Sequence, residues 1–526
     1  MPRDTTRSRF ARPDVAVAVF LFAVYCATLA RGMTYWDAGE FLAAIHSLGI
    51  PHPPGTPLFI LLARVWSVIA APLVGFTIAV NAFSALCTAL AFGIVANIFW
   101  RSTDDAISSF AAALTAGLMS TVWLNATETE VYACSLLGAF VIVLCAQRYV
   151  QTLERRWVVL TLYTCGLAWS LHLTALLTVP AAFYLIVFAR ERPSIRTIVT
   201  GLLLSALGCS VILFMLVRAQ HDPAVNQGNP STVGALIDVV FRRQYDVAPL
   251  WPRRAPLWLQ FGNVFEYADW QFALGLGTDP GPSIARTTVT VLYALLGIYG
   301  SVRHRSVNRS AWHAWMVLLI TTSVGVVLYL NLRAGASYGY GVLPPGAKHE
   351  ARDRDYFFTW AFVCWGAWAG FGVVQLGRAI ARRMQATVER SRDIVSAAVV
   401  VAVLPVVLNW PAVRTLRQTD QRRDEQESRA LLSSLPKAAV FLANGDNDTY
   451  PLWYLQEVEG MRRDVIVVTL PLLTPEWNRT EMQRRHHLLD SAFVKQWHGL
   501  PATIADLRKN ATEQGRPVVI STFAQK

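Results

Sequence analysis

Between Thr34 and Leu58 the chain reads TYWDAGEFLAAIHSLGIPHPPGTPL, which places two carboxylates, two histidines and four prolines in one short stretch. On a helix starting near Ala38, Asp37 and Glu40 are three residues apart and share a face. A carboxylate there could take a proton as general base, with His46 and His52 as titratable neighbours. The same spacing also makes a capping box, Asp37 at N-cap and Glu40 at N3. Spacing alone leaves both readings open, and one carboxylate can serve both. Gly49 is expected at C′, Pro51 ends the helix, and His52 to Pro57 forms a rigid turn.

Further candidates stand far along the chain. Glu128 and Glu130 lie in NATETEVY, His172 lies in SLHLTA, and KHEARDRDYFF carries Arg352, Asp353, Arg354 and Asp355. Each has a bland counterpart. Glu128 follows Asn125 at N-cap spacing, His172 suits a hydrogen-bonded helix end, and Tyr132 and Tyr356 suit an interfacial aromatic belt. The stretch NGDNDTYPLW, Asn444 to Trp453, gathers Asp446, Asn447, Asp448 and Tyr450 where loops of α/β domains carry function, although Asp448 could equally cap a helix.

The elements that must position these residues are mostly membrane spans. Of 526 residues, 54% are hydrophobic and 16% charged, and the mean hydropathy is +0.36. This composition belongs to a multi-spanning membrane protein. Apolar runs near 14–31, 76–99, 108–124, 132–150, 157–172, 173–190, 196–218, 286–303, 311–331, 356–377 and 393–410 predict about eleven spans. Leu58 to Val74 is also apolar but carries Arg64 and Pro72, and is expected to lie at the interface within a first external loop, 32–75. The transmembrane domain is thus 1–410. From 411 to 526 a small α/β domain is expected, with strands at Ala438–Ala443 and Val465–Leu470, a helix near Leu452–Glu459 and a further strand at Val518–Ser521.

Arginine clusters set the orientation. Arg3/Arg7/Arg9/Arg12, Arg148/Arg155/Arg156, Arg190/Arg192/Arg196, Arg303/Arg305/Arg309 and Arg378/Arg382/Arg383 all fall on one side of an eleven-span chain, the cytoplasmic side by the positive-inside rule. Every candidate above then faces outside, as does the C-terminus. The net charge of +12 reflects these clusters rather than nucleic-acid binding. The seven cysteines fall in or beside spans and give neither a disulfide framework nor a zinc motif. The Arg-rich composition suits a bacterial inner membrane, with the N-terminal span a retained signal anchor. Arg352 and Arg354 stand outside against the positive-inside bias, at a span mouth, where guanidinium groups could bind phosphate through paired donors.

No Walker loop, GxGxxG, HExxH or GxSxG is present. A bond-building enzyme outside the cytoplasm needs a donor carried by lipid, and the simplest such reaction is glycosyl transfer from a polyprenyl-phosphate sugar. No cofactor is called for, and a divalent metal stays open. WDAGEFLAAIHSLGIPHPPGTPLF, with ATETEVY, EARDRDYFF and NGDNDTYPLWYLQ, resembles the membrane-domain family whose animal member is a protein O-mannosyltransferase of the secretory pathway. The resemblance covers nearly the whole chain. It implies a GT-C glycosyltransferase fold, a catalytic carboxylate at Asp37 or Glu40, and a polyprenyl-phosphate sugar donor. It maps family blocks onto Glu130 and Tyr132, onto Arg354, Asp355 and Tyr356, and onto Asp446, Asn447 and Asp448; by position His52, Glu128, His172 and Arg352 are expected to join the donor contacts and Tyr450 the acceptor contacts. The acceptor hydroxyl is expected on a protein or a glycan, and the sugar need not be mannose. The rival readings are a transporter or flippase of a lipid-linked sugar, which needs ionisable groups or broken helices near the bilayer midplane, and a non-catalytic envelope-assembly scaffold.

Overall fold

In the computed structural model of the chain, residues 12–245, 248–277 and 281–521 are described. Arg3, Arg7 and Arg9 of the first arginine cluster lie outside them. By length and apolarity alone, eight helices among these residues qualify to cross a membrane, or nine if one bent pair counts as a single span.

Side-chain bonds at the helix ends sort the segments more finely. At one end Asn97 bonds Asp14, Asn308 reaches the Ser102 carbonyl, Tyr149 reaches that of Glu191, and Arg378 pairs with Asp105. At the other end Trp123 bonds Thr28, Asn81 bonds the Ala30 carbonyl, Thr34 bonds Glu128, and Arg218 reaches the Leu48 carbonyl. Followed between these two ends, the chain passes back and forth through the apolar segments in alternation, and all the chemistry-bearing loops gather at the second end.

Pro57–Val74 is one of the eight qualifying helices, yet both of its ends stay at that second end. Phe59 near its start packs on Phe41 at 5.3 Å, Trp66 donates to the Ala79 carbonyl, and Phe76, just past its end, lies 5.2 Å from His46. Val65, Val68, Ile69 and Leu73 are exposed along it, as suits a helix lying in the interface.

The apolar run 108–124 is broken rather than continuous. Ala106–Gly117 and Ser120–Ala126 meet at 73°. The backbone groups freed at the break are taken up by an invading segment: Ser120 N–H donates to the Gln271 carbonyl, and the Asn409 amide donates to the carbonyls of Leu118 and Gln271. Gln271 is fully buried, so the 219–285 loop dips into the bundle beside the break instead of lying wholly on the surface.

The last span, Val388–Val403, leads through Pro405–Asp420 and Gln426–Ser434, so helix runs across residue 411 into the C-terminal domain. There β1 (Val440–Ala443) is flanked by β2 (Ile466–Thr469) and β3 (Val518–Ile520), all parallel, in the order β2-β1-β3. The helix expected from Leu452 starts six residues earlier, at Asp446, and continues through Pro451. Its cap explains the early start. Both oxygens of Asp448 accept backbone N–H groups, from Asn444 and Gly445, which is the carboxylate half of a capping box; Gly445 has no side chain to supply the other half.

Candidate active site

Asp37 follows a residue with a left-handed backbone. Trp36 before it has φ of +64°, an uncommon conformation for a bulky side chain, held because its N–H donates to Asn447 Oδ1 at 2.8 Å and the Arg352 guanidinium lies 4.8 Å over its ring. Tyr35 N–H is likewise held by Asp424. The helix Ala38–Ser47 begins next, and the capping-box expectation fails at both positions. The Asp37 side chain makes no cap bond and instead accepts from Arg352 at 2.9 Å. Glu40 is fully buried and faces the following turn, where it accepts from His52 N–H at 2.8 Å, meets His52 Nδ1 at 2.5 Å, and accepts from Gln227. Both carboxylates are thus engaged away from the N-terminus of their own helix.

The left-handed residue ending this helix is Leu48, φ +51°, not Gly49. Gly49 serves close approach: a Cβ there would meet the Val225 carbonyl at 2.6 Å, where Ile50 pairs with the 225–227 segment. That pairing carries Gln227 to Glu40.

The electrostatics follow from these contacts. Burial opposes a charge on Asp37, but His52 and then Arg352 and Arg354 outweigh it, so the carboxyl is held below its usual range. Burial likewise opposes a charge on His52, yet Glu40, Asp37 and Asp446 push the imidazole up to about 9. His52 is therefore an imidazolium at neutral pH, set between Glu40 and Asp37. Burial, with Asp37 and Glu40 nearby, pushes Asp446 up to about 6. Glu130 differs again: burial, then the charges of Asp37 and Glu128, raise its carboxyl well above the carboxylate range, and its Oε2 accepts no bond among the described residues. One ionised and one protonated carboxyl thus share a site.

The aromatic wall joins the helices. Tyr132 lies 4.9 Å from Tyr356 and 5.2 Å from His172, and Tyr356 OH accepts from Arg352 at 3.2 Å and Arg354 at 2.6 Å. Arg354 also pairs with Glu350 at 3.3 Å. His172 bonds Thr174 within its own turn, and burial pushes it down to about 3, so it stays neutral. Asp37, Glu40, His52, Glu130, Tyr132, His172, Arg352, Arg354, Tyr356, Asp446 and Tyr450 are therefore neighbours.

Three expected site residues are placed otherwise. Asp355 turns to Thr121 Oγ1 at 2.5 Å, Glu128 ties Thr34 to Arg417 at 2.9 Å each, and Asp448 is consumed by its cap. Glu128 does not cap the next span, since Asn125 bonds Thr121 and Glu130 holds the N-cap position. Asn447 bonds the first loop. Trp36, Gln227 and Arg417 escape sequence reasoning. Gln227 lies in AVNQGNP, which reads as an ordinary turn, and no spacing links it to Glu40, 187 residues away. Among the described residues no three His, Cys, Asp or Glu side chains converge in a way that could hold a metal ion.

Two family models match the chain, the protein O-mannosyl-transferase TMEM260 N-terminal domain over residues 37–195 and the TMEM260-associated domain 2 over residues 425–496. Protein O-mannosyl-transferase TMEM260 of Mus musculus is 24% identical over 494 residues, covering 91% of this chain and 65% of the relative. The protein of the same description from Dictyostelium discoideum is 18% identical, covering 89% of this chain and 58% of its own length. The chain thus spans less than two thirds of the length of these relatives. Among solved structures, ArnT from Cupriavidus metallidurans bound to undecaprenyl phosphate superposes with a TM-score of 0.55 at 11% identity, over 96% of this chain and 88% of that one. Its apo form gives 0.53 at 12% identity, over 97% and 89%. The first family model begins at Asp37, the head of the site, and the second spans the helix that caps it. Residues 37–195 and 425–496 thus resemble two domains of the TMEM260 protein O-mannosyl-transferases, and the fold of the chain is that of the GT-C glycosyltransferases.

Proposed function

We propose that the chain transfers a sugar from a polyprenyl-phosphate donor to an acceptor hydroxyl, outside the cytoplasm, with Asp37 as general base. The observation that carries this reading is the Asp37–Arg352 pair: an ionised carboxylate and an arginine lie side by side at the end of the bundle where all the loops converge. A described relative of this fold binds undecaprenyl phosphate, and the named relatives are protein O-mannosyl-transferases, which supports a lipid-phosphate donor and a Ser or Thr hydroxyl.

In the proposed reaction the acceptor oxygen attacks the anomeric carbon and the bond from that carbon to the phosphate oxygen breaks. The acceptor proton passes to Asp37 and the electron pair leaves with the polyprenyl phosphate. A single displacement inverts the anomeric centre. Arg352 and Arg354 are oriented by Tyr356 to meet the phosphate. When Arg352 turns to the phosphate, part of the attraction that lowers the Asp37 pKa is withdrawn, so the base strengthens only with donor in place. Glu130, kept protonated, can donate a hydrogen bond to a sugar hydroxyl or phosphate oxygen. The clustering of ionisable groups at one end, not at mid-depth, favours transfer over transport.

The test is mass spectrometry of lipid carried through purification, followed by turnover with that lipid. Polyprenyl-phosphate sugar and its consumption are expected; a lipid diphosphate oligosaccharide moved unchanged across vesicles would replace this reading with the flippase.

A further inference from the structure

A second cavity, of about 270 Å³, lies on the far side of Gln227 from the site, between the Ala224–Gln227 segment and the C-terminal domain. We propose that it docks an extended stretch of the acceptor polypeptide, which adds as a strand to the open edge of β2. This assignment rests on the glycosyl-transfer reading above.

Three observations carry it. First, Asn226 and Asn478 line the cavity and are 7% and 8% exposed, and the Oδ1 atom of each accepts no hydrogen bond among the described residues. Buried amide oxygens are normally satisfied, so two unpaired ones on residues that line a single cavity point to a ligand that brings donors. Second, β2 is an edge strand with β1 on one side only. Ile466 N–H donates to the Ala439 carbonyl, and by the alternation of a parallel ladder Val467 directs its N–H and C=O the other way, into the cavity it lines. Val465 O on the same edge is already taken by Gln456, which leaves Val467 as the open rung. Third, Gln227 forms a shared wall: it lines the cavity while its amide donates to Glu40 and to Tyr450 OH. A chain lying there is one side-chain layer from the catalytic loop.

An extended peptide matches all three. It carries N–H donors and C=O acceptors at strand spacing, enough to pair Val467 and satisfy the asparagine oxygens, while Trp453 and Trp477 offer apolar contact to its side chains. A sugar brings hydroxyls for the amides but no repeat that fits a ladder rung. Because strand addition reads backbone, the docked sequence can vary, as suits an enzyme with more than one acceptor.

The experiment measures peptide binding separately from turnover. The full chain in lipid nanodiscs is titrated against fluorescein-labelled peptides of about twelve residues, selected from a random library around a central Thr, with anisotropy as readout. Peptides should bind, and N-methylation of alternate backbone nitrogens should weaken the best of them at least tenfold. Val467→Pro should weaken binding to the same degree, since proline is tolerated on an edge strand whose N–H points outward but cannot donate. Asn478→Leu gives an independent check inside the same cavity. Absence of peptide binding, or equal binding by wild type, both variants and the methylated peptide, overturns the docking site. So does a titration in which mannotriose, not peptide, loses affinity in the variants. Consumption of a polyprenyl-phosphate mannose donor by the wild type is followed in parallel: donor use without peptide binding removes only the docking site, whereas peptide binding without donor use removes only the transfer reading.

Discussion

Asp37 keeps its charge because protonated His52 and two arginines surround it, and His52 keeps its proton because Glu40 is bonded to it. The two carboxylates thus have different partners: Asp37 pairs with Arg352, whereas Glu40 holds the imidazolium. Asp37→Asn should fold normally, because no cap bond is lost, while turnover falls by about 10²- to 10⁴-fold, the usual range for a missing base. Steady-state rates with a lipid-sugar donor check this, and near-normal turnover would move the base to another carboxylate. Arg354→Ala removes a charge-assisted contact worth roughly 1.5–3 kcal/mol, so donor affinity should drop about ten- to a hundredfold. Arg354→Lys should recover little, since one ammonium cannot bond phosphate and Tyr356 as a planar fork does. The His52–Glu40 pair also sets a pH window. The folded pKa of about 9 exceeds the unfolded 6.5, so this stabilisation is complete below about pH 6.5 and is lost as pH rises through about 9. Melting temperature should fall across that window in the wild type and vary less in His52→Gln. The residue types and the shared face were legible in TYWDAGEF; their division of labour was not, because Arg352 lies 315 residues from Asp37.

Among elements, the sequence marked the first loop, the interfacial helix, the division at His172 and the three strands with fair boundaries, because apolar length, proline and strand composition are local signals. Two features were hidden, one because its backbone groups are satisfied from far away, the other because a local cap starts a helix ahead of a proline. The 73° break after Gly117 has no proline, and it stands because Gln271 and Asn409 take up its loose ends. The early start at Asp446 rests on a cap at Gly445 with Asp448, and Pro451 downstream looks like a boundary but is not one. That helix then packs on Ala38–Ser47 so closely that a Cβ on Gly39 would meet the Tyr450 carbonyl at 2.6 Å. Gly39→Ala should force the two helices apart, at about 1–3 kcal/mol typical of overpacking, and should shift Trp36, Asp37 and Asn447 together. A lower melting temperature accompanied by a loss of turnover larger than the loss of folded protein is the expected pair of results; unchanged activity would show that the contact can give.

At the scale of the whole molecule, side chains of the C-terminal region bond the first loop and its neighbours, stretches that the sequence could suggest only as separate regions with a boundary near 411. The first loop hangs from the C-terminal domain by Trp36 N–H on Asn447 and by Gln227 joining Glu40 to Tyr450, while Asp424 on the connecting helix holds Tyr35. Arg417 fixes that connecting helix to Glu128 and to the Leu124 carbonyl at the mouth of the bundle. These contacts tie the terminal domain to the first loop, beside the acceptor contacts expected at Asp446, Asn447, Asp448 and Tyr450. A chain ending at residue 434 should still insert, because its apolar spans are intact, but it loses Asn447 and Tyr450, and with Asn447 the acceptor that holds the Trp36 N–H in its left-handed backbone. Asp37 should then relax away from Arg352, and both donor turnover and acceptor transfer should fail together, at least a hundredfold below the full chain, with the bundle still extracted as folded protein. Comparing donor hydrolysis by water with transfer to acceptor in the two chains decides the point: hydrolysis retained at the full-length rate would show that the first loop keeps its geometry alone, and that the terminal domain acts on the acceptor only.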